Sequence, residues 1–116
     1  DTEWLVRFSA AVSLGNLKDR RAYQVLLSAL NSDEGVVQMA AIAALGEIGA
    51  IEAVQHILRF AQSKDWLVRQ RLAQALGNLP TPQSISALNY LAKDSNASVA
   101  EAAAHALQQL REQQMS

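Results

Sequence analysis

The chain contains no cysteine, and this absence excludes several kinds of chemistry. Disulfide bonds, thiol nucleophiles and cysteine-ligated metals all need that side chain. A chain without cysteine fits a reducing compartment, so we expect a cytoplasmic location. No apolar run approaches the ~20 residues that span a bilayer, and we therefore expect no membrane partner.

Aromatic residues and charge of one sign are also scarce. Aromatics make up 5% of the chain, while alanine and leucine dominate its apolar half, a composition that favours close-packed helices over a β-sheet. The formal net charge is −1, and acidic residues interrupt or flank the modest basic clusters at 18–21 and 64–71. Since nucleic acid is bound mainly through positive charge, we expect no nucleic-acid partner.

The residues needed for catalysis or for a metal site form no recognisable set. His56 and His105 belong to separate predicted helices, and neither has a second histidine one turn away, as a helical zinc site requires. No Ser/His/Asp set can be assembled by spacing, and the glycines follow no phosphate-loop pattern. We predict no catalytic, cofactor-binding or metal-binding residues. Whether the chain forms part of an enzyme stays open.

The chain does have an internal repeat. The segment 66–79, which begins Trp-Leu-Val-Arg, occurs almost unchanged at 4–17, and weaker copies lie at 35–48 and 97–110. Leu14, Leu45, Leu76 and Leu107 mark the same position in steps of 31 residues. A fixed period of this size is typical of stacked repeat proteins, whose units bury their apolar faces against each other.

Each unit divides into two predicted helices, A and B, because apolar residues recur at spacings of three and four. The pattern predicts A helices over 3–16, 34–47, 65–78 and 96–113, and B helices over 20–31, 51–63 and 82–93. Short linkers make neighbouring helices antiparallel. The predicted fold is all-α, a right-handed α-solenoid of three A/B helical hairpins followed by a C-terminal capping helix.

These repeats form one predicted domain, residues 1–116. Its repeats run over about 1–31, 32–62 and 63–93, with a half repeat at 94–116. Because Asp1 falls inside the repeat pattern and the first helix carries the apolar residues Leu5, Phe8 and Val12, we expect the domain to be a fragment of a longer array.

Glycines and polar residues mark the predicted helix ends. Gly15, Gly46 and Gly77 stand where a turn or a close helix contact excludes a Cβ, and Gln108 replaces the glycine where no B helix follows. Asp33 and Ser95 are predicted to cap A helices. The predicted cap of the third B helix is Thr81, followed by Pro82.

The recurring pattern resembles the HEAT repeat, and most of all the short repeats of the phycobilisome lyase type, including cyanobacterial NblB-like and bilin lyase E/F-like proteins. In such repeats an arginine after valine ties its helix to a neighbouring loop. Arg7 and Arg69 match it, and the expected partner is an acid such as Asp33 or Asp65. The residues that carry the resemblance are Val6-Arg7, Ala10-Ala11, Leu14-Gly15, Val68-Arg69, Leu72-Ala73, Leu76-Gly77, Leu26, Leu27 and Leu30.

This resemblance implies a protein-binding scaffold or adaptor that acts on phycobiliproteins or their bilins, in phycobilisome assembly or degradation. Two alternatives stay open. One is a bilin lyase-like subunit that needs a second HEAT-like chain to complete a pocket, and the other is a generic scaffold with no pigment role. No cofactor is predicted, and a bilin is the ligand that the resemblance implies.

In HEAT arrays the B helices line the concave face, so their outward positions form the predicted partner-binding site. Arg59 and Tyr90 are its predicted anchors, because arginine and tyrosine often carry interface energy. Trp4 and Trp66 begin A helices two repeats apart and are candidate edge contacts, with packing onto the loops as the alternative. The predicted concave-face residues are Gln24, Ser28, Gln55, Arg59, Gln62, Ser86, Tyr90 and Lys93.

Overall fold

The structure is a computed structural model that describes residues 23–115, and every regular element in that range is helical. The predicted first A helix lies outside the described residues, as do Trp4, Arg7 and Gly15. The helices are α1 (Tyr23–Ala29), α2 (Gly35–Glu47), α3 (Val54–Ile57), α4 (Trp66–Leu76), α5 (Pro82–Leu91) and α6 (Ala97–Met115). Within this range each falls where the 31-residue period predicts a helix.

The second B helix differs from the others in its geometry. Its α-helical core, α3, lies between two 3₁₀ segments, Ile51–Ala53 and Leu58–Gln62. We refer to residues 51–62 as the mixed helix. Its first turn has no side-chain cap, because Ala50 stands where Thr81 caps α5. A tight 3₁₀ turn is a frequent ending where orphan backbone groups lack such a partner.

The A helices form the centre of the stack. Helix α2 packs against α4, and α4 packs against α6, while α1, the mixed helix and α5 lie beside them. Leu45 and Leu76, which mark the repeat, are completely buried. The predicted α-solenoid of helical hairpins is confirmed for the described part of the chain.

Close contact between A helices explains two of the recurring glycines. A Cβ on Gly46 would lie 2.9 Å from the Cα of Ala75, and one on Gly77 would lie 3.0 Å from the Cβ of Ala106. Both glycines therefore let the next A helix approach, and the turn that follows α2 depends instead on Gly49, whose φ is 68°. At the same repeat position of α6, Gln108 is exposed, and no described helix packs against it there.

The helix caps lie one residue later than predicted at two A-helix starts. The Asp65 side chain accepts a hydrogen bond from the N–H of Leu67, and the Asn96 side chain accepts from Ser98. Asp33 was wrongly predicted as a cap, because the residue before α2 is Glu34 and no side chain caps that helix. Ser95 was also wrong, because Asn96 caps α6. Thr81 does cap α5, since its hydroxyl accepts the Ser84 N–H at 3.0 Å.

Candidate functional site

The outward side chains of the B helices form three rows that run across the repeats. We call this surface, made by α1, the mixed helix, α5 and the residues that directly follow them, the B face. All eight predicted concave-face residues are exposed on it. With Asn31 added, the rows step by 31 residues as Gln24/Gln55/Ser86, Ser28/Arg59/Tyr90 and Asn31/Gln62/Lys93.

Two equivalent hydrogen bonds join neighbouring B helices on this face. Arg59 Nη2 donates to Asn31 Oδ1 at 3.3 Å and to the Leu30 carbonyl at 3.4 Å. One repeat later, the Tyr90 hydroxyl donates to Gln62 Oε1 at 3.5 Å. The two predicted anchors therefore also link their repeat to the preceding one, and Tyr90 still exposes 55% of its surface.

Arg59 is held in place by a second contact. Its guanidinium lies 4.9 Å from the centroid of the Phe60 ring, within the range of a cation–π interaction. No acidic residue in the described part of the chain pairs with it, so its positive charge remains available on the surface. Arg59 is thus an exposed cation with an ordered position.

Open grooves follow the seams between the B helices. The seam between the mixed helix and α5 holds one of about 490 Å³, with a mostly apolar floor and amide side chains at its rim. We call it the apolar groove. It is lined by Leu58, Ala61, Gln62, Pro82, Gln83, Ser86, Ala87 and Tyr90.

The same seam continues into a polar end. Ala61, Gln62 and Tyr90 line both parts, and the polar end adds Ser63, Arg69, Lys93, Asp94 and Ser95. The seam one repeat earlier holds a smaller groove of about 230 Å³, lined by Leu27, Ser28, Leu30, Asn31, His56 and Arg59. The B face therefore repeats grooves as well as side chains.

An ion pair closes the floor of the polar end. Arg69 Nε donates to Asp94 Oδ2 at 2.8 Å, and Arg69 Nη2 donates to Asp94 Oδ1 at 3.1 Å. Arg69 Nη1 also donates to the Ser63 carbonyl at 2.7 Å. The expected tie between helix and loop is present at Arg69, but its acid is Asp94 and not Asp33 or Asp65. Arg7 lies outside the described residues, so the partner of that arginine stays a prediction. Asp65 is occupied as the cap of α4, whereas Asp94 lies in the loop that Arg69 faces.

The Asp94 carboxyl titrates below the usual range for an aspartate. The Arg69 hydrogen bonds lower its pKa, burial opposes that shift, and the Asn96 N–H and the Arg69 charge lower it further. The carboxyl is therefore ionised at neutral pH and neutralises Arg69. Lys93 is left as the uncompensated cation among the described residues of the polar end.

A second groove lies on the A helices, between α4 and α6. Its volume is about 430 Å³, and it is lined by Gln70, Gln74, Ser98, Glu101, Ala102, His105, Ala106 and Gln109. We call this surface the A face. Met39 and Ala43 hold the positions of Gln70 and Gln74 in the preceding repeat, so its polarity does not recur along the stack.

The two predicted edge residues have different outcomes. Trp66 begins α4 and exposes 43% of its surface, while Trp4 lies outside the described residues. The pairing of the two tryptophans therefore stays a prediction. Trp66 remains a predicted contact residue.

The described residues contain no group of three or more histidine, aspartate and glutamate side chains that could hold a metal ion. No helix within 23–115 is long and apolar enough to cross a membrane. In the same range every buried side-chain nitrogen and oxygen has a hydrogen-bond partner. The polar side chains of the B face are exposed in rows.

The family model described as HEAT repeats matches residues 1–71 and 54–115. The chain belongs to the HEAT-repeat family. No curated protein matches it. HEAT repeats are generally scaffolds for protein interactions, and stacked repeats of this kind present extended binding surfaces.

One contact at the candidate site of this HEAT array was not predicted from the sequence. Asp94 was not recognised as the partner of Arg69, although it lies 31 residues after Ser63, as Arg69 does after Gln38. Gln38 Nε2 donates to the Ser32 carbonyl at 2.7 Å, which is the counterpart of the bond from Arg69 to Ser63. The repeat register was the signal that could have found this contact.

Proposed function

We propose that this HEAT array is a protein-binding scaffold whose B face receives the partner. The observation that carries the proposal is the regular spacing of exposed polar side chains over grooves that open between successive B helices. Neighbouring packed helices lie ~10 Å apart, so a polypeptide that crosses the B helices meets equivalent contacts at regular intervals. A rigid face of this kind needs no catalytic residue.

The chemistry of the face supports a polypeptide partner. Glutamine, asparagine and serine side chains can donate and accept hydrogen bonds, and Tyr90 adds apolar area with few rotatable bonds. The grooves are shallow and open to solvent on one side. Such a surface fits a side chain from a larger molecule better than it fits an enclosed small ligand.

For the partner itself, the resemblance to phycobilisome lyase-type repeats supports a phycobiliprotein. The scaffold would then act in phycobilisome assembly or degradation. The residues of the two Trp-Leu-Val-Arg copies support this narrower part of the proposal. The proposal that the B face is the binding surface does not depend on which protein is the partner.

A mixing experiment separates the candidate functions. The protein is combined with phycocyanin or with free phycocyanobilin, and co-elution and absorbance spectra are recorded. Binding of intact phycocyanin without a bilin response supports the adaptor. A spectral shift with free bilin supports the lyase-like subunit, whose activity would then be tested with a second HEAT-like chain. Binding of neither overturns the pigment assignment and leaves a scaffold for another protein.

A pair of double variants tests the B face. Arg59→Ala with Tyr90→Ala should weaken binding of the partner at least tenfold, because both side chains are removed from the middle row. Gln70→Ala with Gln74→Ala, on the A face, is the matched control and should leave affinity unchanged.

Because Arg59 also bonds Leu30 and Asn31, the melting temperature of each variant is measured beside its affinity. If both double variants lose affinity equally, or if neither loses affinity, the binding surface lies elsewhere.

A further inference from the structure

The seam between the mixed helix and α5 differs in chemistry from one end to the other. Its apolar groove has a floor of Leu58, Ala61 and Ala87, with Pro82 at one side. Its polar end contains two cations, Arg69 and Lys93, and a single acid, Asp94. A ligand that follows the seam therefore meets apolar carbon first and positive charge next.

The positive charge of the polar end belongs to Lys93. Asp94 is held by Arg69 through two hydrogen bonds, so these two charges cancel. Lys93 is exposed and has no acidic partner in the described part of the chain. An incoming carboxylate would pair with it without breaking an existing contact, whereas an incoming ammonium group would meet an uncompensated cation.

The seam one repeat earlier carries the same sign of charge. Arg59 lies on its rim beside Asn31, and none of the described residues that line this groove is acidic. Arg59 is thus the second exposed B-face cation without an acidic partner in residues 23–115. The two seams are separated by about one helix diameter, ~10 Å, which is close to the length of three residues in an extended chain.

We propose, building on the proposed function, that the B face binds an acidic segment of its protein partner. An apolar side chain of that segment lies in the apolar groove, and neighbouring carboxylates lie against Lys93 and Arg59. In a segment with polyproline II geometry, which has three residues per turn, apolar and acidic residues that recur every third position lie on one side of the chain. The juxtaposition of an apolar floor with an unpaired lysine, repeated in weaker form around Arg59, carries the inference.

Synthetic peptides of equal length provide the probe. One repeats Leu-Glu-Ser, a second replaces each glutamate with lysine, and a third replaces each leucine with serine. Each carries a fluorescent label, and binding to the full chain is followed by fluorescence anisotropy. The first peptide should bind, and the other two should bind at least tenfold more weakly.

Two variants assign the contacts. Lys93→Glu should weaken the acidic peptide about five- to tenfold and strengthen the basic one, and added salt should reduce both changes. Arg111→Glu makes the same change in charge on α6, away from the seam, and should have little effect. Ala87→Trp fills the apolar groove and should abolish binding of the acidic peptide while the helical circular dichroism signal is kept.

The outcomes separate this inference from the scaffold proposal. If the acidic and basic peptides bind equally and Ala87→Trp blocks both, the B face remains a docking surface but its preference for acidic segments is overturned. If Ala87→Trp leaves peptide binding unchanged, the seam is not the site and the inference is overturned. The scaffold proposal is judged separately, by the effect of Arg59→Ala with Tyr90→Ala on the binding of a whole protein.

Discussion

At the scale of single residues, one repeat position accounts for much of the polar structure. Ser32, Ser63 and Asp94 each accept a hydrogen bond from the backbone N–H two residues later, at the start of an A helix. Asp94 alone has a charge, and it alone pairs with an arginine of the preceding A helix. This position thus fixes the backbone at the start of each described A helix. Before α6, the Asp94 carboxylate also joins two repeats through its ion pair with Arg69.

Removal of Arg69 should destabilise the chain, and the repeat itself provides the matched variant. Arg69→Ala loses both bonds to Asp94 and the bond to Ser63, and leaves a half-buried carboxylate without its cation. We expect a loss of about 2 kcal/mol in the free energy of unfolding. Arg69→Gln copies Gln38, keeps the bond to the Ser63 carbonyl, and should lose about half as much. Urea unfolding at neutral pH measures both.

The pH dependence of the same variants identifies the ion pair. The folded-state pKa of Asp94 is lowered, so its contribution to stability is present above the unfolded value of ~3.9 and is lost as the pH falls through the folded pKa. The stability difference between wild type and Arg69→Ala should therefore shrink below about pH 4. A difference that stays constant down to pH 2 would show that packing, and not the ion pair, causes the loss.

At the scale of helices, the short distance between successive A helices restricts which residues fit at the recurring glycine position. A Cβ on Gly46 would meet the Cα, Cβ and carbonyl oxygen of Ala75, while one on Gly77 would meet the Cβ and Cα of Ala106 and the side-chain oxygen of Gln109. The two contacts occupy the same repeat position but differ in what an added methyl group would meet. A backbone neighbour cannot move without shifting its helix, whereas the end of a glutamine side chain can rotate away.

Alanine at these two glycines should therefore have unequal effects. Gly46→Ala should lower the free energy of unfolding by about 1–3 kcal/mol, because α2 and α4 must separate. Gly77→Ala should cost less, because one of its two contacts at 3.0 Å is the movable end of the Gln109 side chain, whereas all three contacts at Gly46 belong to Ala75 and two of them are backbone atoms. Thermal unfolding followed by circular dichroism compares them. Equal losses would mean that the contact at Ala106 is as rigid as the one at Ala75.

The positions of the helices were predictable from the sequence, whereas their 3₁₀ turns and the caps of the A helices were not. Period and amphipathic spacing located every described helix, because core positions such as Leu45 and Leu76 repeat in type. The 3₁₀ turns of the mixed helix were not predicted. The first one follows Ala50, which supplies no side-chain cap, and the second, Leu58–Gln62, lies at the other end of the helix. The predicted caps Asp33 and Ser95 were wrong because several residues before each A helix suit a cap by type, and only the geometry shows which side chain accepts the helix N–H. On the B face exposure was predictable, whereas the links from Arg59 and Tyr90 to the preceding repeat required coordinates.

At the scale of the whole molecule, equivalent positions differ in burial according to their place in the stack. Ile42 and Ala73 are completely buried, but Ala104 at the same position of α6 is exposed. Leu45 and Leu76 are also completely buried, while Leu107 is half-buried. In the described residues α2 and α4 are each followed by a B helix, whereas α6 continues to Met115 without that turn.

Truncation of the repeat leucine should therefore depend on position in the stack and not on residue type. Leu76→Ala removes a completely buried side chain from α4, the helix that packs against α2, α5 and α6, and should cost about 3–5 kcal/mol with loss of the whole cooperative transition. Leu107→Ala removes the same atoms from a half-open site and should cost ~1–2 kcal/mol, because part of its surface already meets water. Urea unfolding gives both values, and the slope with urea shows whether the stack still unfolds as one unit. A loss at Leu107 as large as that at Leu76 would mean that the exposed face of α6 is covered in solution, which sedimentation or light scattering would test directly.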